Sequence, residues 1–451
     1  MKKTAIVGAG AGGITSALLA AERGETVTLY EAHDVLGGCS SYFNRRDFCF
    51  DAGATTLSGV KPHEPLGIFF KKIGAYPQLF ACDPGISFYL SDGRVLHYFR
   101  SFDKWMKELE RAFPRLDHRP FWSKVYELNL KGWGLLHKLK NFPPRSIFDL
   151  LSLSPMLLEL KDLSHLFVST DLMLKKYQLN DPAYHELING ILLISAQAEA
   201  KEVPFLIGAM ALAYPQDTYA PVGGMKGFMD FLEGECRKRK IDIKLNHKIN
   251  SLSELDGDEK ILNTTWWNSK EMIENKELDR IAWGAFALYL GVKSEVSSPY
   301  HQVHLNHPLV KNYFVSFSIP DDLTRAPSGW RSVTISTHTY VEDWVGLDKS
   351  SYKNLKAEFQ KVILDDFLHR FRINETKFVT AGTPKTFERY TLRKHGYVGG
   401  LPFLYGKNPL RMKGHATKIS HVWDVGDTTF PGQGWAGVVA GALELDRKLK
   451  A

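Results

Sequence analysis

The first 31 residues constrain this chain more than any other stretch. Thr4-Ala5-Ile6-Val7 is a short apolar run that feeds Gly8-Ala9-Gly10-Ala11-Gly12-Gly13. Residues 14–23 keep a helical pattern until Gly24, and Thr26-Val27-Thr28-Leu29-Tyr30 reads as a second strand ending at Glu31. Strand, glycine turn, helix, strand and acid, in that order, predict a βαβ unit built around a dinucleotide. Gly8 permits the tight turn, Gly10 lets a diphosphate approach the backbone, and Gly13 lets the helix pack closely on the strand. The helix N-terminus offers unpaired N–H groups and a positive dipole end. Glu31 stands 18 residues after Gly13, near the ~20 expected of an acid that binds ribose. An acid there disfavours a 2′-phosphate and hence NADP. Lys2-Lys3 before a small-residue run imitates a secretory leader, but a leader core is rarely so rich in glycine.

At 451 residues the chain is long enough for two or three units of ~100–200 residues each. Its 44% hydrophobic and 24% charged residues argue against disorder and coiled coil. No apolar run reaches the ~20 residues of a spanning helix. Net charge is +7 with no long Lys/Arg block, so no nucleic-acid partner is expected, while a weak pull toward anionic lipid stays open. The four cysteines, Cys39, Cys49, Cys82 and Cys236, form no CxxC pair, which suits a reducing compartment and no structural zinc. The composition's oddity is 12% aromatic residues, and it points to a large apolar pocket or surface.

A second glycine pair, Gly37-Gly38, lies just past Glu31 and is followed by Cys39-Ser40-Ser41, then by Phe50-Asp51-Ala52-Gly53-Ala54. This suits a ligand longer than the nucleotide alone. The far end of the chain supplies a matching half. Residues 419–425 have strand character and end in Gly426-Asp427, followed by Gly432-Gln433-Gly434-Trp435-Ala436 and a closing helix over 437–449. A carboxylate and helix N-terminus there suit ribityl or phosphate oxygens and the electron-accepting edge of a flavin. Nicotinamide alone needs no such return, so FAD is the expected cofactor. Between these halves, Pro221-Val222-Gly223-Gly224-Met225 precedes a helix over 228–240 and a pair of strands near 241–249 and 261–265, with His247-Lys248-Ile249 near the adenine. The expected cofactor contacts are Gly8, Gly10, Gly13, Glu31, Gly37, Gly38, Ser40, Ser41, Ala54, Lys248, Ile249, Gly426, Asp427, Gln433, Gly434, Trp435 and Ala436.

These motifs resemble a known group. Gly37-Gly38-Cys39-Ser40-Ser41-Tyr42-Phe43 with Phe50-Asp51-Ala52-Gly53 is similar to a carotenoid isomerase pattern, and Gly426-Asp427-Thr428-Thr429-Phe430-Pro431-Gly432-Gln433-Gly434 resembles the same group's C-terminal signature. Pro221-Val222-Gly223-Gly224-Met225, the stretch Asp322 to Gly329 and Thr383-Pro384-Lys385-Thr386-Phe387-Glu388-Arg389-Tyr390 extend the likeness over nearly the whole chain. The resemblance is to the phytoene desaturase, carotenoid isomerase and retinol saturase superfamily of amine-oxidase-like FAD oxidoreductases. It implies an α/β fold, with a discontinuous Rossmann-type FAD domain and an inserted α+β substrate domain. It also implies an enzyme, a hydrophobic polyene or isoprenoid substrate, and contact with one face of a membrane. Desaturation, saturation and flavin-assisted cis–trans isomerisation all remain open. Rival readings on the same fold are an amine oxidase or other flavoenzyme and, more remotely, a non-catalytic lipid or prenyl escort.

The expected division is residues 1–65 for the first part of the FAD domain, 66–200 for a helical substrate- and membrane-facing part, and 201–280 for the second FAD part. Residues 281–395 follow as the substrate sheet and helix, and 396–451 as the third FAD part. Residues 101–113 read as an amphipathic helix capped by Ser101, 350–371 as another helix, and 285–292 and 332–336 as strands. Trp133, Leu135, Leu136, Leu139 and Phe142, flanked by Lys131, Lys138, Lys140 and Arg145, suit a bilayer interface or a lid over the site. That places the protein in the cytoplasm, with peripheral contact to the inner face of a membrane as the open question. His301, His304 and His307 are spaced by three, which puts them on no common strand face. They are expected to be a partly exposed cluster with no metal. No acid/base residue stands out, so the catalytic side chains stay unknown and the flavin is expected to carry the chemistry. The electron acceptor or donor is unidentified.

Overall fold

A computed structural model describes residues 1–139, 142–144, 146–154, 159–273, 283–400, 402–408 and 412–450. Lys140 and Arg145, named above as basic flankers, lie outside the described residues.

Strands β1 (Lys3–Val7) and β2 (Thr26–Tyr30) run parallel, joined by helix α1 (Ala11–Glu22). Ile6, Leu18 and Leu29 are wholly buried, as the apolar spacing requires. Three more strands join this pair from distant parts of the chain. β9 (Asp242–Lys244) lies beside β2, β10 (Glu259–Leu262) beside β1, and β16 (Val422–Asp424) beside β10, all parallel. The sheet order is β16-β10-β1-β2-β9. The runs expected to pair near 241–249 and 261–265 therefore do not pair with each other; they flank β2 and β1 from opposite sides. A buried apolar run marks a strand, but in a parallel sheet the crossover decides its neighbour. Helices α2 (Pro65–Ile73), α10 (Gly224–Lys238) and α14 (Gly434–Lys450) pack with α1 around Phe69, Phe70, Phe228 and Val439.

A second sheet of seven strands has the order β15 (Thr376–Gly382), β11 (Trp283–Val292), β14 (Arg331–Tyr340), β13 (Asn312–Phe317), β12 (Tyr300–His304), β6 (Ile86–Tyr89), β7 (Val95–Tyr98). Its neighbours are antiparallel except β12 and β6. Phe359, Ile363 and Phe367 of α12 (Lys349–Arg370) cover it, packing with Phe286 and Trp344. His301 and His304 are buried in β12, not partly exposed. The His301 ring packs edge-on against Phe317 and Phe371, and burial lowers both imidazoles to about 4. Strand alternation sends the two opposite ways, yet β12 is covered on both faces, so both are enclosed. Two short antiparallel pairs complete the sheets: β3 (Tyr42–Arg45) with β4 (Phe48–Asp51), and β5 (Leu79–Ala81) with β8 (Tyr219–Pro221).

The helical lobe comprises α3 (Phe102–Ala112), α4 (Arg119–Lys138), α5 (Ile147–Ser152), α6 (Leu160–Leu163), α7 (Thr170–Lys176), α8 (Pro182–Ala196) and α9 (Phe205–Leu212). Ser101 caps α3 by accepting the Lys104 N–H, and Asp181 caps α8 through the N–H groups of Ala183 and Tyr184. Much of the aromatic excess goes into this core. Tyr98 stacks on Trp105 with ring centres 4.1 Å apart, and Trp122 Nε1 donates to the Tyr184 hydroxyl at 2.8 Å. Two further helices are α11 (Trp266–Ile273) and α13 (Pro384–Thr391); Asn268 of α11 donates to the carbonyl of Leu392, just past α13, at 2.7 Å.

Three of the signature stretches meet in a buried junction. Arg325 Nη1 donates to Asp51 Oδ2 at 3.0 Å and Nε to the Cys49 carbonyl at 2.9 Å, while Met225 N–H donates to Asp51 Oδ1 at 2.8 Å. A Cβ on Gly224 would stand 1.6 Å from Arg325 Nη1, so only glycine fits beside the guanidinium. The junction clamps β4 to the start of α10. Breaking such an enclosed pair from one side costs about 3–5 kcal/mol.

Candidate dinucleotide groove and apolar cavity

The sheet order changes direction between β1 and β10, and open α/β sheets bind ligands outside the strand C-termini at such a point. Gly8 follows β1 there with φ +90. A Cβ on Gly13 would lie 1.9 Å from the Gly8 carbonyl oxygen, so this glycine serves helix–strand packing. Glu31 sits at the end of β2, and its carboxylate accepts the Ala9 N–H at 2.7 Å and the His33 N–H at 2.8 Å. Each oxygen keeps a lone pair for a sugar hydroxyl. Lys248 and Ile249 follow His247, whose N–H donates to the Glu31 carbonyl at 2.8 Å and whose ring lies 5.2 Å from Tyr30.

These groups open onto one cavity of about 1300 Å³, larger than the ~300–1,000 Å³ typical for a drug-sized ligand. Gly8, Gly10, Glu31, Gly37, Gly38, Ser40, Ser41, Ala54, Lys248, Ile249, Gly426, Asp427, Gln433, Gly434, Trp435 and Ala436 all line it; Gly13 does not. α14 begins at Gly434, so its positive end faces the cavity from the C-terminal side. The glycine-lined groove continues into a gallery walled by Leu136, Leu163, Leu166, Leu193, Leu206 and Met210, and floored by β11, β13 and β14 through Ala285, Ala287, Phe314, Thr334 and Ser336. Burial lowers the His338 imidazole of this floor to about 4, which keeps it neutral beside the leucines.

Trp133, Leu135, Leu136, Leu139 and Phe142, for which a bilayer interface and a lid over the site were both open, line the cavity wall. The apolar side chains turned outward come from the next segments: Ile147 at 74% exposed, Phe148 at 82%, Leu160 at 59% and Phe167 at 71%. The helical period explains the exchange. α4 packs against α9, which turns its apolar stripe inward and leaves the following short helices to face out. Among the described residues no helix is long and apolar enough to cross a membrane.

Four further cavity-lining groups carry no local sequence signal. Asn263, at the end of β10, donates from Nδ2 to the Gly8 carbonyl at 3.1 Å; Cβ atoms on Gly12 and Gly426 would approach its Oδ1 at 2.6 and 3.0 Å. Arg393 donates to Asp427 Oδ2 at 2.8 Å. Glu64 and Asp217 share a wall with Thr56 and Tyr214. Burial, then the neighbouring Asp217, pushes the Glu64 carboxyl up to about 8, against the pull of Lys61. Asp217 accepts the Gly59 N–H at 3.0 Å and has Lys61 Nζ and Arg100 Nη2 at 3.5 and 3.6 Å. The pair therefore keeps a proton near neutral pH. Glu64 reads locally as the residue before a helix-starting proline, and nothing in the order of residues joins it to Asp217.

Comparison with known proteins agrees with this geometry. Residues 6–73 match the model of the NAD(P)-binding Rossmann-like domain. A chloroplastic prolycopene isomerase of Daucus carota is 23% identical over 99% of this chain and 79% of its own length. A lycopene-forming phytoene desaturase of Pseudescherichia vulneris is 24% identical over 56% of this chain and 50% of its own. Among solved structures, the cyclohexylamine oxidase of Brevibacterium oxydans superposes with a TM-score of 0.61 at 13% identity, covering all of both chains. The chain is thus similar along nearly its whole length to prolycopene isomerases and over part of it to a phytoene desaturase, with a Rossmann-like domain on the fold it shares with the cyclohexylamine oxidase.

Proposed function

We propose that the chain is an FAD-dependent oxidoreductase acting on a long apolar isoprenoid polyene that it draws from a lipid surface. One observation carries the reading: a single cavity runs from the glycine motifs into a leucine-walled gallery. The residues fit FAD. A tight glycine turn, a ribose-type acid at Glu31, a second glycine pair and a C-terminal Gly426-Asp427 return all open onto one groove, which has room for a second, elongated ligand. Bound there, FAD supplies hydride or electron transfer. The chain's own residues supply the rest. The leucines exclude water and align a flexible hydrocarbon, a task that needs shape rather than polar anchors. The Glu64–Asp217 pair keeps a proton on the wall of the same cavity, where it can be given or taken without bulk water. Likeness along nearly the full length to prolycopene isomerases supports cis–trans isomerisation over net desaturation or saturation. The outward Ile147, Phe148 and Phe167 support docking on the cytoplasmic face of a membrane.

The test begins with the purified chain. Bound flavin should show in its absorbance, and Glu31→Ala and Gly10→Val should lose it; full flavin occupancy in both variants sinks the binding model. Anaerobic incubation with a carotenoid-rich lipid extract, followed by mass spectrometry, then separates the reactions. An unchanged mass with a shifted retention time marks isomerisation. A loss or gain of two hydrogens marks desaturation or saturation. Peroxide release from simple alkyl amines, with the polyenes untouched, replaces this reading with amine oxidation.

A further inference from the structure

We infer that Arg393 is the counter-charge that this chain supplies to the diphosphate of its bound dinucleotide. The inference rests on the dinucleotide reading of the groove and adds a residue to it. The N-terminus of α1 carries no side-chain cap, and no acid stands in its first turn. Two other segments close around that helix end. Gly37 forms a parallel bridge with Gly10, and a Cβ on Gly38 would lie 3.5 Å from the Gly10 Cα. A Cβ on Gly12 would lie 3.3 Å from the Gly426 nitrogen. Cys39 and Asp427 are the next residues of those segments, and the Arg393 guanidinium bridges them. Its Nη1 donates to Asp427 Oδ2 at 2.8 Å and sits 3.5 Å from Cys39 Sγ, while Nη2 donates to the Gly399 carbonyl at 2.6 Å.

The guanidinium thus ties together the two segments that close around the positive end of an uncapped helix. Arg393 is 8% exposed, it lines the cavity, and its buried Nε–H meets no acceptor. Leaving the Nε–H of a charged group without an acceptor away from water is unfavourable, and the uncapped helix end offers further N–H groups that no side chain meets. An anion lying between the two relieves both. A planar guanidinium suits phosphate oxygens in particular, which it can meet with two parallel N–H groups. Asp427 alone would repel such an anion, and its pairing with Arg393 removes that objection. Cys39 adds no opposing charge, because burial pushes its thiol up.

The experiment titrates the full chain, as purified, with ADP and separately with adenosine, which lacks the diphosphate. The readout is displaced flavin, or binding heat where the chain carries none. In Arg393→Gln the ratio of ADP to adenosine affinity should fall on the order of 10- to 100-fold. Arg393→Lys, which keeps a charge opposite Asp427, should fall less. Because each ratio is taken within one protein, partial misfolding cancels. A ratio in Arg393→Gln equal to that of the wild type overturns the inference, and so does a wild-type ratio near one. A wild type that prefers ADP in an Arg393-dependent way but retains no flavin instead overturns only the FAD assignment.

Discussion

Glu64 keeps its proton at a pH where a carboxyl in water has long lost it. Two buried acids face each other, and Lys61 and Arg100 together do not settle both negative charges at once. The consequence for stability has a definite sign. Between the ordinary carboxyl value of 4.5 and about 8 the native chain holds a proton that the unfolded chain has released. The contribution is complete below the lower limit and is lost as pH rises through the upper one. Glu64→Gln, which is neutral at every pH, should flatten that slope. At pH 8.5 the variant should be the more stable by about 1 kcal/mol or more, as urea unfolding followed across pH 5–9 would show. A wild-type stability that does not change over this range would mean that the two carboxyls do not share a proton.

At the scale of elements, the short helices after α4 carry the outward apolar residues. Phe148 on α5 is 82% exposed, and Phe167, just past α6, is 71% exposed and also lines the cavity. Phe167 thus belongs both to the outer surface and to the gallery. Burying one such ring in a bilayer is worth about 1.5–3 kcal/mol. Phe148→Ser with Phe167→Ser should therefore cut co-sedimentation with anionic vesicles at least tenfold while flavin content holds. Equal sedimentation of variant and wild type would remove the docking surface from the proposal. Local pattern reading served some elements well. α3 and α12 fall within a residue of the expected bounds, and α1 and α14 start only about three residues earlier than expected, because each is determined within its own few turns. It served pairing poorly. β9 and β10 were visible as strands, but their partners depend on crossovers that no window of sequence contains. The stripe on α4 was visible too, and whether it met lipid or the cavity depended on where α9 lies.

The same contrast holds for the molecule as a whole. The glycine turns and the acid at the end of β2 could be read from order alone, since a strand, a tight turn and a helix start are each determined locally. Every nominated contact except Gly13 reaches the cavity. Arg393, Asn263, Glu64 and Asp217 could not be read this way. Each is an ordinary polar residue until distant segments bring it to the groove. A ligand held by all these segments should stabilise the fold as one unit. FAD at a hundredfold excess over its dissociation constant should add about 2.7 kcal/mol, read as a single cooperative thermal transition shifted upward by several degrees. Two separate transitions, only one of them moved by FAD, would show that the groove is not a shared element. The parallel sheet carries a last consequence. β16, the edge strand beside β10, lies more than 400 positions after β1, and the far wall of the groove runs on to Val438. A ribosome making this chain must therefore finish almost all of it before the pocket begun at Gly8 can close. The groove stays open during synthesis, and any ligand that all of its walls hold can be captured only near the end of it, as a closing event rather than an early guide.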